Sequence, residues 1–209
     1  EELVKEVVNE GYLIAQDKPS KADVFLIAVP TPLEKSNNGI PRPNIEHVIA
    51  AVDSISNFLE PGNLIILEST SPVGTTEKIA NLIFENSKIP KDSISIAYCP
   101  ERVLPGRALF EIISNDRVIG GINKISEEKG RNFYESFCRG KIITTNSRTA
   151  ELVKLTENAY RDTNIAFANE ISMISTELGI DYSRVIEIAN KHPRVNILSP
   201  GCGVGGHCI

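Results

Sequence analysis

The chain has 209 residues, 41% of them hydrophobic and 23% charged, with a formal net charge of -5 and a pI near 5.4. That balance is ordinary for a globular protein with a core to bury, and it excludes the basic footprint of a nucleic-acid partner. No apolar stretch approaches the roughly 20 residues that span a bilayer, so a small-molecule partner is expected and a membrane one is not.

In chain order, the run from Ala22 to Val29 reads as a buried strand and ends at Pro30-Thr31-Pro32. A polar loop follows from Glu34 to Pro43. Asn44 is placed to cap a helix whose apolar positions Ile45, Val48, Ile49, Val52 and Ile55 recur at helical spacing. The unit repeats as a strand over 63–67, a turn at Ser69-Thr70-Ser71-Pro72-Val73-Gly74 and a helix over 75–84. Strands at 94–98, 117–121 and 141–144, with a helix from about 126 to 138, complete an open sheet. This alternation predicts an α/β fold over residues 1–147: a partial Rossmann-like, doubly wound parallel sheet with helices on its faces. Ligands of such sheets bind outside the carboxyl ends of the strands, which places Thr31, Thr70 and Glu101 on one rim. From residue 148 the pattern becomes one long helix reaching Leu178 and closed by Gly179, then a shorter helix over 181–191. Residues 148–209 therefore read as a separate, central helical domain or as one led by a linking helix.

Several residues could carry chemistry. Lys154 and Asn158 are four apart, hence on one helix face. They are either a solvated lysine beside an incidental amide, or an ammonium and an amide that together stabilise an oxyanion. Asn164 and Asn169 are also poor helix formers and add polar character to the same helix. The segment Ser199 to Cys208 holds four glycines in one loop, where backbone can approach a ligand closely. Its Cys208 is either a small buried residue or a nucleophile whose thiolate the loop amides stabilise. Cys202, His207 and Cys208 fit no standard zinc spacing, so no metal is expected. Glu101 follows a strand and is either a general base or a surface partner of Arg102 or Arg107. Cys99 and Cys138 read as structural, and Thr31 and Thr70 could simply be turn residues. Four cysteines in a chain this long make no disulfide framework. The opening Glu1-Glu2-Leu3-Val4-Lys5 lacks the basic and apolar regions of a signal peptide, so a cytoplasmic setting is expected. Residue 1 is not Met and the chain stops just after its most glycine-rich motif, so it reads as a fragment.

Taken in order and spacing, Val29-Pro30-Thr31-Pro32, Ser69-Thr70-Ser71-Pro72-Val73-Gly74, Cys99-Pro100-Glu101-Arg102, Glu151 with Lys154 and Asn158, and Gly205-Gly206-His207-Cys208 resemble the UDP-glucose/GDP-mannose dehydrogenase family. The resemblance covers essentially the whole chain. Within the family, Cys99 to Gly106 and His192 to Leu198 look like the branch that acts on UDP-N-acetylmannosamine; the glucose branch usually has an acidic residue where Pro105 stands. The resemblance implies an NAD-dependent, four-electron oxidation of a sugar C6 alcohol to a carboxylate, with Cys208 as nucleophile. It implies that Lys154 and Asn158 steady the developing oxyanion, and that Glu101 and Thr70 activate and hold the hydrolytic water. Val29, Pro30, Thr31 and Thr70 match positions lining the NAD site. Glu101, Arg102, Lys154, Asn158, Arg194, Asn196, Gly203, Gly205 and Gly206 match the sugar-nucleotide site. A homodimer through the long central helix is implied as well. The Gly-x-Gly-x-x-Gly turn that seats the NAD pyrophosphate is expected before Glu1, and a nucleotide-binding C-terminal domain after Ile209. Cys202 replaces a proline common in this branch. The rival readings are UDP-glucose 6-dehydrogenation, a β-hydroxyacid dehydrogenase, which performs one hydride transfer without a nucleophilic cysteine, and a non-catalytic dimerisation scaffold.

Overall fold

A computed structural model describes residues 2–34, 39–86, 89–104 and 106–201. In chain order the elements are α1 (Glu2–Asn9), β1 (Val24–Ile27), the small hairpin strands β2 (Leu33–Glu34) and β3 (Arg42–Pro43), α2 (Glu46–Ile55) and β4 (Leu64–Leu67). These are followed by α3 (Thr75–Asn86), β5 (Ser95–Tyr98), α4 (Ala108–Ser114), β6 (Arg117–Gly121), α5 (Lys124–Glu135), β7 (Ile142–Asn146), α6 (Ser147–Glu177) and α7 (Tyr182–Ala189). The chain divides into two compact units, one ending at Glu151 and the other beginning at Leu152. Among the described residues no helix is long and apolar enough to cross a membrane.

In the first unit, five strands form one sheet in the order β1-β4-β5-β6-β7. Every residue of β4 and β5 is buried, which is why both read as unbroken runs rather than alternating ones. One cluster joins Leu64, Ile66, Ala97, Cys99 and Ile119 of the sheet to Tyr134 and Cys138, with Phe133 and Phe137 packed against it. Val48 and Val52 of α2 and Ile79 and Ile83 of α3 are also fully buried. Asn123 caps α5 by accepting a hydrogen bond from the Ser126 amide, so that helix starts two residues earlier than its apolar pattern indicates.

The parallel arrangement expected from the sequence holds for β1, β4 and β5, and β6 departs from it. β6 runs antiparallel to β5, pairing Ala97 with Gly121 and Tyr98 with Gly120, and β7 then runs parallel to β6. A parallel return requires a crossover that carries the chain back along the sheet. Here α4 rises only about 10 Å, and the rest of the connection stays at the rim. The chain therefore re-enters the sheet from the end at which β5 left it. Three short elements have no counterpart in the sequence reading: α1, α4, and the β2–β3 hairpin inside the expected polar loop.

In the second unit, α6 closes as expected. Gly179 takes φ +66, and the Ile180 amide donates to the Ser175 carbonyl at 2.8 Å. Asp181 then caps α7 through the Ser183 amide.

Candidate active site

The carboxyl ends of β1, β4 and β5 lie side by side, so the segments leaving them form a rim. Two of these segments are joined by hydroxyls. Ser69 Oγ donates to the Val29 carbonyl at 2.7 Å, and Thr31 Oγ1 donates to the Thr70 carbonyl at 2.6 Å. Val29, Thr31 and Thr70 are half-buried and Pro30 is exposed, making a ledge with apolar surface open to a flat ring. That ledge fits the role the resemblance implies for these four residues toward NAD.

The turn after Thr70 is fastened by Glu151, whose carboxylate is fully buried. It accepts hydrogen bonds from the Gly74 amide at 2.6 Å, the Thr76 amide at 2.8 Å and Thr76 Oγ1 at 2.6 Å. The two amides are donors that the first turn of α3 leaves without intrahelical partners, and the positive end of the helix dipole favours the charge placed there.

Glu101 sits on the third segment and is exposed. Its Oε1 accepts the Val103 amide, folding the carboxylate onto its own loop. The next amide, Leu104, donates to Glu111 Oε2 at 2.8 Å. Asn115 Nδ2 donates to the Arg102 carbonyl and to Glu111 Oε2, both at 3.3 Å, and Arg102 Nη1 donates to the Asp116 carbonyl at 2.8 Å. Arg107, which the sequence offered as a partner for Glu101, instead lies 3.7 Å from Glu111 Oε1.

Behind the rim lies a buried polar cluster. The Arg117 guanidinium is 4.0 Å from Cys99 Sγ and stacks over the Tyr134 ring at 4.7 Å, while Tyr134 donates to Glu68 Oε1 at 2.6 Å. Burial pushes the Cys99 thiol up to about 11, against the pull of Tyr134 and Arg117. Cys99 therefore stays protonated at neutral pH and serves packing, in keeping with its sequence reading. Burial, followed by the charges of Cys99 and Glu68, raises the Tyr134 phenol as well.

In the second unit, Lys154 is buried and Asn158 half-buried, one turn apart on α6. The lysine is thus not the solvated residue of the blander reading. Arg194 and Asn196 are exposed in the segment after α7, where the Asn190 side chain holds both the amide and the carbonyl of Ile197, at 2.7 and 2.9 Å. Asn169 Oδ1 accepts the Gly201 amide at 2.9 Å, tying the start of the glycine-rich segment to α6. Gly203, Gly205, Gly206 and Cys208 lie outside the described residues, as do Cys202 and His207.

Sequence reasoning passed over Glu111, Asn115, Arg117 and Tyr134. The one signal available was the isolated Glu111 in the apolar run Ala108-Leu109-Phe110-Glu111-Ile112-Ile113, a charge that demands partners if the run is packed.

The NAD binding domain of the UDP-glucose/GDP-mannose dehydrogenase family matches residues 1–138, and the central domain of that family matches residues 148–209. A UDP-N-acetyl-D-mannosamine dehydrogenase of Campylobacter jejuni is 51% identical over 99% of this chain and 52% of its own length. An NDP-N-acetyl-D-galactosaminuronic acid dehydrogenase of Ralstonia nicotianae is 49% identical over 99% of this chain and 50% of its own. The solved structure of a UDP-D-ManNAc dehydrogenase from Pyrococcus horikoshii superposes with a TM-score of 0.91 at 41% identity, covering 98% of this chain and 49% of that one. The chain thus spans about half the length of the relatives it matches. With its two domains matched over residues 1–138 and 148–209, the chain belongs to the UDP-glucose/GDP-mannose dehydrogenase family.

Proposed function

We propose that the protein to which this chain belongs oxidises the C6 alcohol of UDP-N-acetyl-D-mannosamine to the carboxylate. The observation that carries the reading is identity of 51% and 53%, over 99% of the chain, to two relatives named UDP-N-acetyl-D-mannosamine dehydrogenase. NAD, when bound, accepts a hydride in each of two oxidations. Val29, Pro30, Thr31 and Thr70 bind and orient it along the ledge. Lys154 and Asn158 stabilise negative charge on the sugar oxygen as it develops. Cys208 adds to the aldehyde as a thiolate, which makes the carbon a hydride donor again and leads to a thioester. Glu101 and Thr70 hold and deprotonate the water that cleaves it. Arg102, Arg194, Asn196, Gly203, Gly205 and Gly206 contact the sugar nucleotide. Residues 1–147 act as the NAD-binding domain and 148–209 as the central domain, through which two copies dimerise, in the cytoplasm.

The 49% identity to the galactosaminuronic relative favours a second reading, in which the substrate is an N-acetylgalactosamine nucleotide. Incubating the full-length protein with NAD and a panel of UDP-sugars, including UDP-glucose, separates the readings. About two NADH per UDP-N-acetylmannosamine are expected, with no acid from Cys208→Ala. One NADH per sugar points to a two-electron dehydrogenase, turnover of a different sugar alone reassigns the substrate, and no turnover of any leaves a scaffold. Acid formation that survives Cys208→Ala removes the covalent mechanism.

A further inference from the structure

We infer that Glu111 is a positioning residue that sets the Glu101 carboxylate for hydrolysis of the thioester, an inference that rests on the proposed oxidation. Two consecutive amides carry it: Val103 N–H donates to Glu101, and Leu104 N–H donates to Glu111. An exposed carboxylate on a loop ordinarily samples many rotamers. With one oxygen held by the Val103 amide, Glu101 is as fixed as the loop beneath it. The loop in turn is fixed by Glu111, which is 8% exposed and directs its oxygens at the Leu104 amide, the Asn115 amide and the Arg107 guanidinium.

A buried carboxylate is costly unless its partners compensate, and a leucine would fill the same place on α4 more cheaply. The partners of Glu111 come from the loop and from the foot of β6, which ties its charge to the placing of that loop. The step that depends on this placing is the last one. The oxygen of water bonds to the acyl carbon, a proton of that water passes to Glu101, the C–S bond breaks, and sulfur leaves as the Cys208 thiolate. Neither hydride transfer requires the water or its base. Loss of Glu111 should therefore slow hydrolysis selectively, and a displacement of about 1 Å at a reacting group costs up to about a hundredfold.

The test uses the full-length protein with NAD and UDP-N-acetylmannosamine, followed by stopped-flow NADH absorbance and intact-mass spectrometry. Glu111→Ala is expected to release a burst of two NADH per site, then turn over at least about tenfold more slowly, with the protein carrying the sugar acyl adduct. Glu111→Gln, which keeps an oxygen for the Leu104 amide, is expected to recover most of the rate. A purely structural role would lower the melting temperature or the active fraction without moving the rate-limiting step, so no adduct would collect. Wild-type turnover by the Ala variant, slow turnover without adduct, or a Gln variant no better than Ala would each overturn the inference. Should the Ala protein not fold, Glu111→Asp, one methylene too short to reach the loop, carries the same expectation. A wild type that forms no acid removes the proposed oxidation, and the inference with it; a wild type that forms acid beside an unaltered Ala variant removes the inference alone.

Discussion

Glu151 is one carboxylate enclosed by protein and facing three donors, all within 2.8 Å. Its negative charge is what the first turn of α3 needs, and an amide in its place cannot supply it. In Glu151→Gln, an NH2 group would face either the Gly74 or the Thr76 amide, donor against donor. Leaving such a buried donor unsatisfied costs about 1–3 kcal/mol, so the variant is expected to lose that much unfolding free energy and to unfold at lower urea concentration, with an unchanged m-value. Equal stability in urea titrations would mean that water or another group takes over the cap. Gly74, beside it, takes φ +96, a left-handed conformation that favours glycine in the turn that carries Thr70.

At the scale of elements, β6 approaches its neighbours more closely than a side chain allows. A Cβ on Gly120 would lie 2.6 Å from Ala150 Cβ and 2.7 Å from the Asn146 carbonyl oxygen, both backbone-anchored positions that cannot swing away. Gly120→Ala should therefore cost about 1–3 kcal/mol despite being the smallest possible addition; a melting temperature matching wild type would show that β6 and the start of α6 can separate without penalty. The Gly120-Gly121 pair was visible in the sequence as the end of a strand, but its reason was not, because close approach depends on which element lies above. The same limit explains what else was legible. β4 and β5 declared themselves because strands buried on both faces are apolar throughout, β1 because its run is apolar although Leu26 is exposed, and Thr31 and Thr70 followed from the rule that ligands gather at strand ends. The direction of β6 left no trace, since an apolar run reads alike either way. α4 was missed because Leu109, Phe110 and Ile113 are exposed, which blurs the periodicity that marks an amphipathic helix. Glu111 could not be placed without α4.

For the molecule as a whole, one edge of the main sheet is the strand β1, which pairs with β4 on one side only among the described residues. Leu26 on that strand is 48% exposed. An open edge carrying an exposed apolar side chain is a template for pairing with another chain. The 209-residue chain in isolation should therefore gain apparent mass with concentration in light scattering, and Leu26→Lys should suppress that gain; a mass independent of concentration would show the edge to be inert. The connection between β5 and β6 has a different character. Because β6 enters from the rim, the loop that carries Glu101 and everything found fastening it, from Cys99 through Glu111 and Asn115 to Arg117, belong to one unbroken stretch of chain. Such a stretch is a portable cassette: recombination between relatives could exchange residues 99–117 as a block, carrying a matched loop and clamp together, whereas exchange of the loop alone would strand a buried carboxylate without its partners.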